Sequence, residues 1–411
     1  MLGKDVYNTL NEPILYTHDP PTEHDEACLN ALCIGNKQNT MDSLRLTRYL
    51  ACKYKNTHLN RIFSITLYFR HNTICQYLNV KNEYAYKLDQ YIRFFEVEKE
   101  WKENVFLNYG LYLLNRQCYK ESYTYTIYMN QVKVDHLNIR PDTMSGFKPG
   151  DKGKTLLVYM SGGLGDNIMY ARFMKKLGET FSDQRILFLI YDELYWIYES
   201  IHKDSNSIET WRYSNKHLLP PFDYHINISR LYVLLQLDYK DIYIEYFPPL
   251  PYYPMDELPK DKKHIIVHWK GNPQNEHEEH NRQIKLDLLV PLFKRTDVQC
   301  ITIAKDITSH ERELLREHKV VILEVDKKEC FRHSMSIILS VDAVITTDTS
   351  LAHMCGTLDV PCYTLLTAGC DWRWGKEKTT RWYPKMTLLR QHAPFDWSRV
   401  VEELVVIPIH R

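Results

Sequence analysis

The stretch TLLVYMSGGLGDNIMYARF, residues Thr155 to Phe173, runs a short apolar segment into glycines, then an aspartate, then apolar residues at helical spacing. A strand apolar on both faces that ends in a glycine turn and opens a helix is the first unit of a parallel α/β layer. The pattern returns downstream. RILFLIY, KHIIVHW, VQCITIA and DAVITT are short runs rich in Ile, Val and Leu, and NIMYARFMKKLGETF, LDLLVPLFKR, SHERELLREH and SLAHMCGTL alternate with them. Such alternation predicts helices packed on parallel sheets. A proline-rich break from Tyr246 to Lys263 splits the series in two. Two doubly wound domains are therefore expected, facing each other across a cleft, with ligand at the carboxyl ends of strands.

Upstream the texture differs. Residues 1 to about 27 are rich in Pro, Asp, His and Thr, and from Cys28 to about Val132 no strand alternation stands out. NEYAYKLDQYIRFFEVEKEW and ENVFLNYGLYLLNRQCYKESYTYTIYMNQ carry apolar residues at helical spacing. In the second, Gly110, Tyr119 and Ser122 fall where a tetratricopeptide hairpin places its small and aromatic packing residues, with NRQC as the turn. Residues 142–154 form a linker of Pro, Gly, Ser and charge. The expected domains are a helical, tetratricopeptide-like unit over 1–145, a first Rossmann-like unit over 151–255 and a second over 256–411.

Composition narrows the partners. The chain has 411 residues, 44% apolar and 25% charged, with 52 Lys plus Arg against 52 Asp plus Glu. Zero net charge gives no overall pull toward nucleic acid or anionic membrane. The N-terminus lacks a basic-then-apolar signal pattern, and no apolar run approaches the ~20 residues of a membrane span. Ten cysteines are present without a C-x-x-C, so zinc and thioredoxin patterns are absent and reduced thiols in the cytoplasm are expected.

The chemistry concentrates in a few places. The first turn, Gly162-Gly163-Leu164-Gly165-Asp166, is neither a full G-x-G-x-x-G nor a phosphate-binding P-loop. Its glycines let backbone pass close to a ligand, and Asp166 either caps the helix or projects into the cleft. In SVDAVITTDTSLAHMCGTLDVPCYTLL, Asp348, Thr349 and Ser350 start a helix that continues through His353. Free N–H groups and hydroxyls at such a start form an anion site, though a simple N-cap reads the same way. Lys270 lies just past the KHIIVHW strand, in a turn with Asn272, and Arg282 follows in HNRQI. Lysine meets a phosphate as a point charge and arginine as a planar fork. Near the end, CDWRWGKEKTTRWYPKMTLLRQ gathers Trp372, Trp374, Trp382 and Tyr383 with Arg373 and Arg381, as core packing or as a wall that stacks on a base or sugar.

These blocks carry a resemblance. GGLGDNIMYARFMKKL, DYHINISRLYVLL, HWKGNPQ…NRQI, VDAVITTDTSLAHMCGTLDVPCYTLL and DWRWG…RWYPKMTLLRQ stand in the order seen in tetratricopeptide-repeat-linked glycosyltransferases. The order is similar to that of the heptosyltransferases and, more distantly, of O-GlcNAc transferase, over roughly residues 155 to 400. The resemblance implies a GT-B fold, a nucleoside-diphosphate sugar as donor, no metal or other cofactor, and inversion at the anomeric carbon. It implies Asp166 as general base, Gly163 and Gly165 beside the donor, Thr349 and Ser350 on phosphate after Asp348, and His353 near the ribose. Lys270, Asn272 and Arg282 would meet the diphosphate, with Gln283 where the family often has Ser. Trp372 and Trp374 are the possible cleft aromatics. Lys305 has no implied role. The acceptor stays open among protein hydroxyl, glycan, lipid and nucleic acid, and a catalytically silent scaffold of the same fold, binding nucleotide sugar or a protein partner, stays open beside the enzyme.

Overall fold

The structure is a computed structural model that describes residues 110, 113–114, 116–126, 153–160, 162–245, 250–272, 282–326, 330–368, 370–392 and 396–409. Most of the expected helical unit lies outside the described residues. Its described part is a tight turn at Arg116–Gln117 leading into α1 (Tyr119–Thr126). Gln117 has φ 63° and its N–H donates to Leu114 O at 2.9 Å, which reverses the chain within two residues. Tyr119 and Ser122 are buried. Tyr119 packs against Tyr232, Tyr239, Trp372 and Trp382, so α1 docks onto the α/β body.

The first sheet contains β1 (Thr155–Tyr159), β2 (Arg185–Ile190), β3 (Ile208–Arg212) and β4 (Tyr224–Asn227) in the order β3-β2-β1-β4. All pairings are parallel, with Leu156 beside both Ile186 and Tyr224. The segment NIMYARFMKKLGETF folds as two helices, α2 (Leu164–Ala171) and α3 (Phe173–Thr180), joined at Arg172. The α4 helix (Asp192–His202) follows β2. The face bearing Leu156, Val158, Ile186 and Phe188 packs on these helices. The opposite face, with Leu157, Tyr159, Leu187 and Leu189, meets Trp211, Tyr213, Leu219 and Phe222 instead. Among the described residues this sheet is therefore not doubly wound, contrary to expectation. The cause is local: the β3–β4 link makes one 3-10 segment, Tyr213–Leu218, and then meets Pro220 and Pro221, which disfavour helix at the residue before each.

The second sheet holds β5 (Lys263–His268), β6 (Val298–Thr302), β7 (Val321–Ile322), β8 (Ala343–Thr347), β9 (Cys362–Leu366), β10 (Thr379–Thr380) and β11 (Tyr383–Arg390). Their order is β10-β11-β9-β8-β5-β6-β7, parallel except for the β10–β11 pair. The strand DAVITT is buried almost throughout, because it lies inside the sheet with helices on both faces. One face meets α8 (Cys330–Leu339) and α9 (Ser350–Thr357). The other meets α6 (Val290–Phe293), α7 (Ser309–Glu317) and α10 (Ser398–Val406). The remaining helix, α5 (Leu231–Leu234), follows β4.

The two sheets share one core. A single buried cluster runs from β1, β2 and α2–α4 into α8, α9, Trp374, Trp382 and Tyr383. Arg172, at the α2–α3 joint, crosses that boundary. It is buried, donates from Nη1 to Trp382 O and lies 4.6 Å over the Tyr383 ring. No helix among the described residues is long and apolar enough to cross a membrane.

Candidate functional site

A cleft of about 600 Å³ opens where the sheets meet. In the first sheet the strand order reverses between β1 and β4, and in the second between β5 and β8. The loops leaving such neighbouring strands diverge to opposite sides and leave a crevice at their carboxyl ends. The β1–α2 turn brings Gly163, Gly165 and Asp166 to the cleft. The loop after β5 brings Lys270 and Asn272, with Arg282 beyond it, and the β8–α9 turn brings Asp348, Thr349, Ser350 and His353. These sequence-selected residues thus line one space. Trp372 and Trp374 do not. Trp374 is buried behind the cleft, stacked on His353 at 5.3 Å, and Trp372 packs on Tyr119 and Trp382.

The glycines of the first turn have separate physical jobs. Gly162 has φ 76°, a left-handed backbone that strains any residue with a Cβ. Gly163 is the N-cap of α2, held by a bond from Asn167 Nδ2 to its carbonyl at 2.8 Å. A Cβ there would stand 3.2 Å from Asp166 Oδ2. At Gly165 a Cβ would reach 2.8 Å from His353 Cδ2 and 3.2 Å from Ser350 Cα. The α2 and α9 helices thus approach too closely there for any side chain. Asp166 sits in the first turn of α2 without capping it. Its Oδ1 contacts Arg373 Nη2 at 2.5 Å as an ion pair, in a geometry that is not an aligned hydrogen bond.

At the start of α9, Thr349 Oγ1 accepts from Leu351 N at 3.3 Å and meets Thr346 Oγ1 at 3.2 Å. Its hydroxyl is committed to capping, which leaves the half-buried Ser350 hydroxyl toward the cleft. Asp348 is half-buried in the same turn. Burial pushes its carboxyl up, against the pull of Arg373 and Arg282. His353 is 2% exposed and shares a 2.7 Å bond between Nδ1 and Tyr383 Oη. Burial, with Arg373, Arg172 and Arg282 nearby, holds its imidazole neutral, far below its ordinary pKa of 6.5.

Lys270 is more constrained than its position in the sequence suggests. Its Nζ lies 2.7 Å from Glu311 Oε2 and 2.9 Å from Asp306 O. Glu311 also accepts from Trp269 Nε1 at 2.7 Å and from Thr308 N at 2.8 Å, closing the capping box of α7. Burial opposes the Glu311 charge, but those three donors win and hold its carboxyl below the usual range. The sequence carried half of this signal, since Thr308-x-x-Glu311 is a helix-start signature. Its tie to Lys270 is non-local. Lys305, left without a role above, stands exposed on the rim, and Arg373 completes a lining of four cations against Asp166, Asp306 and Asp348. Among the described residues no cluster of three or more His, Cys, Asp or Glu is arranged to hold a metal ion.

No family model and no curated protein matches this chain. Among solved structures it is similar to a glycosyl transferase family 9 protein from Veillonella parvula DSM 2008, at 12% identity over 62% of this chain and 90% of that one, with a TM-score of 0.46. It is similar to the ADP-heptose lps heptosyltransferase II of E. coli at 12% identity over 61% and 98%, with a TM-score of 0.40. An O-GlcNAc transferase from Thermobaculum terrenum aligns at 12% identity over 86% and 84%, with a TM-score of 0.25.

Three histidines, His202 and His353 buried and His268 half-buried, are expected to make the fold acid-labile. Burial lowers His202 and His268 to about 4, with Lys270 also acting on His268, and holds His353 well below 6.5. An unfolded chain protonates all three near pH 6.5, whereas the native chain excludes those protons. Their stabilisation is therefore complete above pH 6.5 and is lost as pH falls toward 4. The expected slope approaches about 4 kcal/mol per pH unit near pH 5. Urea midpoints measured from pH 7.5 to 5 test this, and a flat profile would contradict it.

Proposed function

We propose that the chain is a two-lobed glycosyltransferase of the GT-B type. It moves a sugar from a nucleoside-diphosphate donor to an acceptor hydroxyl with inversion, without a metal or other cofactor. The observation that carries this reading is one shared cleft: a carboxylate enters from the first sheet's switch point, and a helix start with cations enters from the second's. The positive end of the α9 dipole and the Ser350 hydroxyl, with Lys270, Arg282 and Lys305, suit a diphosphate. Asp166 suits a hydroxyl that must lose its proton as it attacks.

In the step itself, the acceptor oxygen forms a bond to the anomeric carbon as the bond from that carbon to the diphosphate oxygen breaks. The hydroxyl proton passes to Asp166, and the electron pair of the broken bond leaves with the diphosphate. The growing negative charge on the leaving group lies against fixed cations and the positive start of α9, so no strong acid is required. The second α/β unit is assigned the donor site, the first the base and the acceptor side, and the helical region over 1–145 the acceptor or docking.

A thermal-shift screen against ADP, GDP, UDP and CDP, each also as its sugar conjugate, tests the donor site. A ligand at 100 times its Kd stabilises the fold by about 2.7 kcal/mol. No shift with any nucleotide rejects a nucleotide-sugar enzyme. A shift without release of sugar from any conjugate supports the silent scaffold instead.

Lys270→Ala offers a second test with two readouts. Removing the ammonium leaves Glu311 as a carboxylate only 11% exposed without its charge partner. Melting temperature is therefore expected to fall. Nucleoside-diphosphate affinity is expected to weaken about 10- to 100-fold as a charge-assisted contact is lost. A lower melting temperature with unchanged affinity, by calorimetry, would confine Lys270 to bracing α7.

A further inference from the structure

Arg373 is unexplained by donor binding, yet it is among the most constrained side chains in the cleft. It lies in the 3-10 turn Trp372–Trp374, where Asp371 Oδ1 accepts its backbone N–H at 3.1 Å. The same Oδ1 meets its Nε at 3.3 Å, so one carboxylate fixes both backbone and head group. The turn cannot drift. Trp374 is buried on His353, Gly375 follows at φ 58°, and Arg390 donates to the carbonyls of Trp374, Gly375, Lys376 and Glu377. From this rigid base Nη2 reaches the other lobe and touches Asp166 Oδ1 at 2.5 Å. The second oxygen of Asp166 lies over the Gly163 backbone. Asp166 is thus held between a cation from the second lobe and a glycine turn of its own.

We infer that Arg373 is a positioning residue for Asp166: it fixes the carboxylate in the cleft across the lobe boundary and leaves Oδ2 as the oxygen that takes a proton. The inference rests on the proposed role of Asp166 as general base. Burial opposes the charge of Arg373, but Asp371, Asp166 and Asp348 sustain it, so the group stays cationic. A short carboxylate in the first turn of a helix has several rotamers, and catalysis is sensitive to misplacement on the ångström scale. The guanidinium also carries a fork that meets Asp371 and Asp166 together, which an ammonium cannot do.

The experiment is a double-mutant cycle on the full chain with Asp166→Ala, Arg373→Met and the double variant. Amide exchange of residues 162–171 is expected to rise about ten-fold or more in each single variant and no further in the double. Unchanged exchange in Arg373→Met, or additive effects in the double, overturns the inference whether or not a donor is known. With the donor found in the nucleotide screen, Arg373→Met is expected to lower kcat about 30- to 100-fold while donor KM stays within two-fold. Arg373→Lys keeps a cation among the carboxylates and so guards against misfolding. Its fold and donor KM should hold while kcat stays about ten-fold down. Full kcat in Arg373→Lys, or a loss confined to donor KM, places Arg373 on the donor and overturns the inference. If Asp166→Ala spares turnover, the base assignment fails, and the exchange cycle alone then judges the pair. If Asp166→Ala abolishes turnover and Arg373→Met does not, the base assignment stands and the inference falls.

Discussion

Gly356→Ala is expected to destabilise the protein by about 2–4 kcal/mol and to remove nucleotide binding with it. Alanine normally improves a helix interior by about 1 kcal/mol over glycine. Here the added Cβ would stand 2.0 Å from Tyr383 Cδ1, 2.2 Å from Cγ and 2.5 Å from Cε1. The Tyr383 ring has nowhere to go. Its hydroxyl is bonded to His353, Arg172 lies over its face, and its backbone opens β11, which runs parallel to β9. Overpacking of this kind costs about 1–3 kcal/mol and more when backbone must move. The element that must move is α9, whose start forms one wall of the cleft. Thermal denaturation should show a drop of about 2–5 °C at this size. An unchanged melting temperature would mean that α9 and β11 are not packed as described.

What the sequence revealed of the fold follows from burial. TLLVY, RILFLI, KHIIVH and AVITT were legible as strands because both faces of the central strands are covered, which forces continuous apolar runs. IETWR and YHIN were not, because β3 and β4 are the outer strands of their sheet and carry polar residues. The missing helical cover on one face of the first sheet was written in LLPPF, but a proline pair does not say what lies beneath it. The site divides in the same way. Asp166, Lys270 and Ser350 each follow a strand directly, so strand-turn-helix order placed them at one edge. Arg373 enters from the loop between β9 and β10 and meets Asp166 across 207 residues of chain, a pairing that no local spacing encodes. Trp374 was legible as important and illegible as to side. Its partner His353 is buried, so the stack closes the back of the cleft and not its mouth.

Asp166→Asn is expected to reduce sugar transfer about 10²- to 10⁴-fold while nucleoside-diphosphate affinity stays within a few-fold. The amide has the shape of the carboxylate and cannot accept a proton at the pH of the assay, so the substitution removes the base and little else. General-base catalysis contributes about that range of rate. The diphosphate contacts assigned to α9, Lys270 and Arg282 arise from the second lobe and do not use Asp166, which predicts a loss in kcat and not in binding. The contact with Arg373 supplies an internal control. The amide introduced by this substitution can still turn its oxygen toward Nη2, so the fold should hold, and a fall of more than a few degrees in melting temperature would signal a structural role for the charge. Turnover must be read against donor hydrolysis by water, because a missing acceptor slows transfer in wild type and variant alike. If Asp166→Asn releases sugar at the wild-type rate from the donor that binds, proton removal belongs to another group. The carboxylate would then serve only to join the two lobes through Arg373.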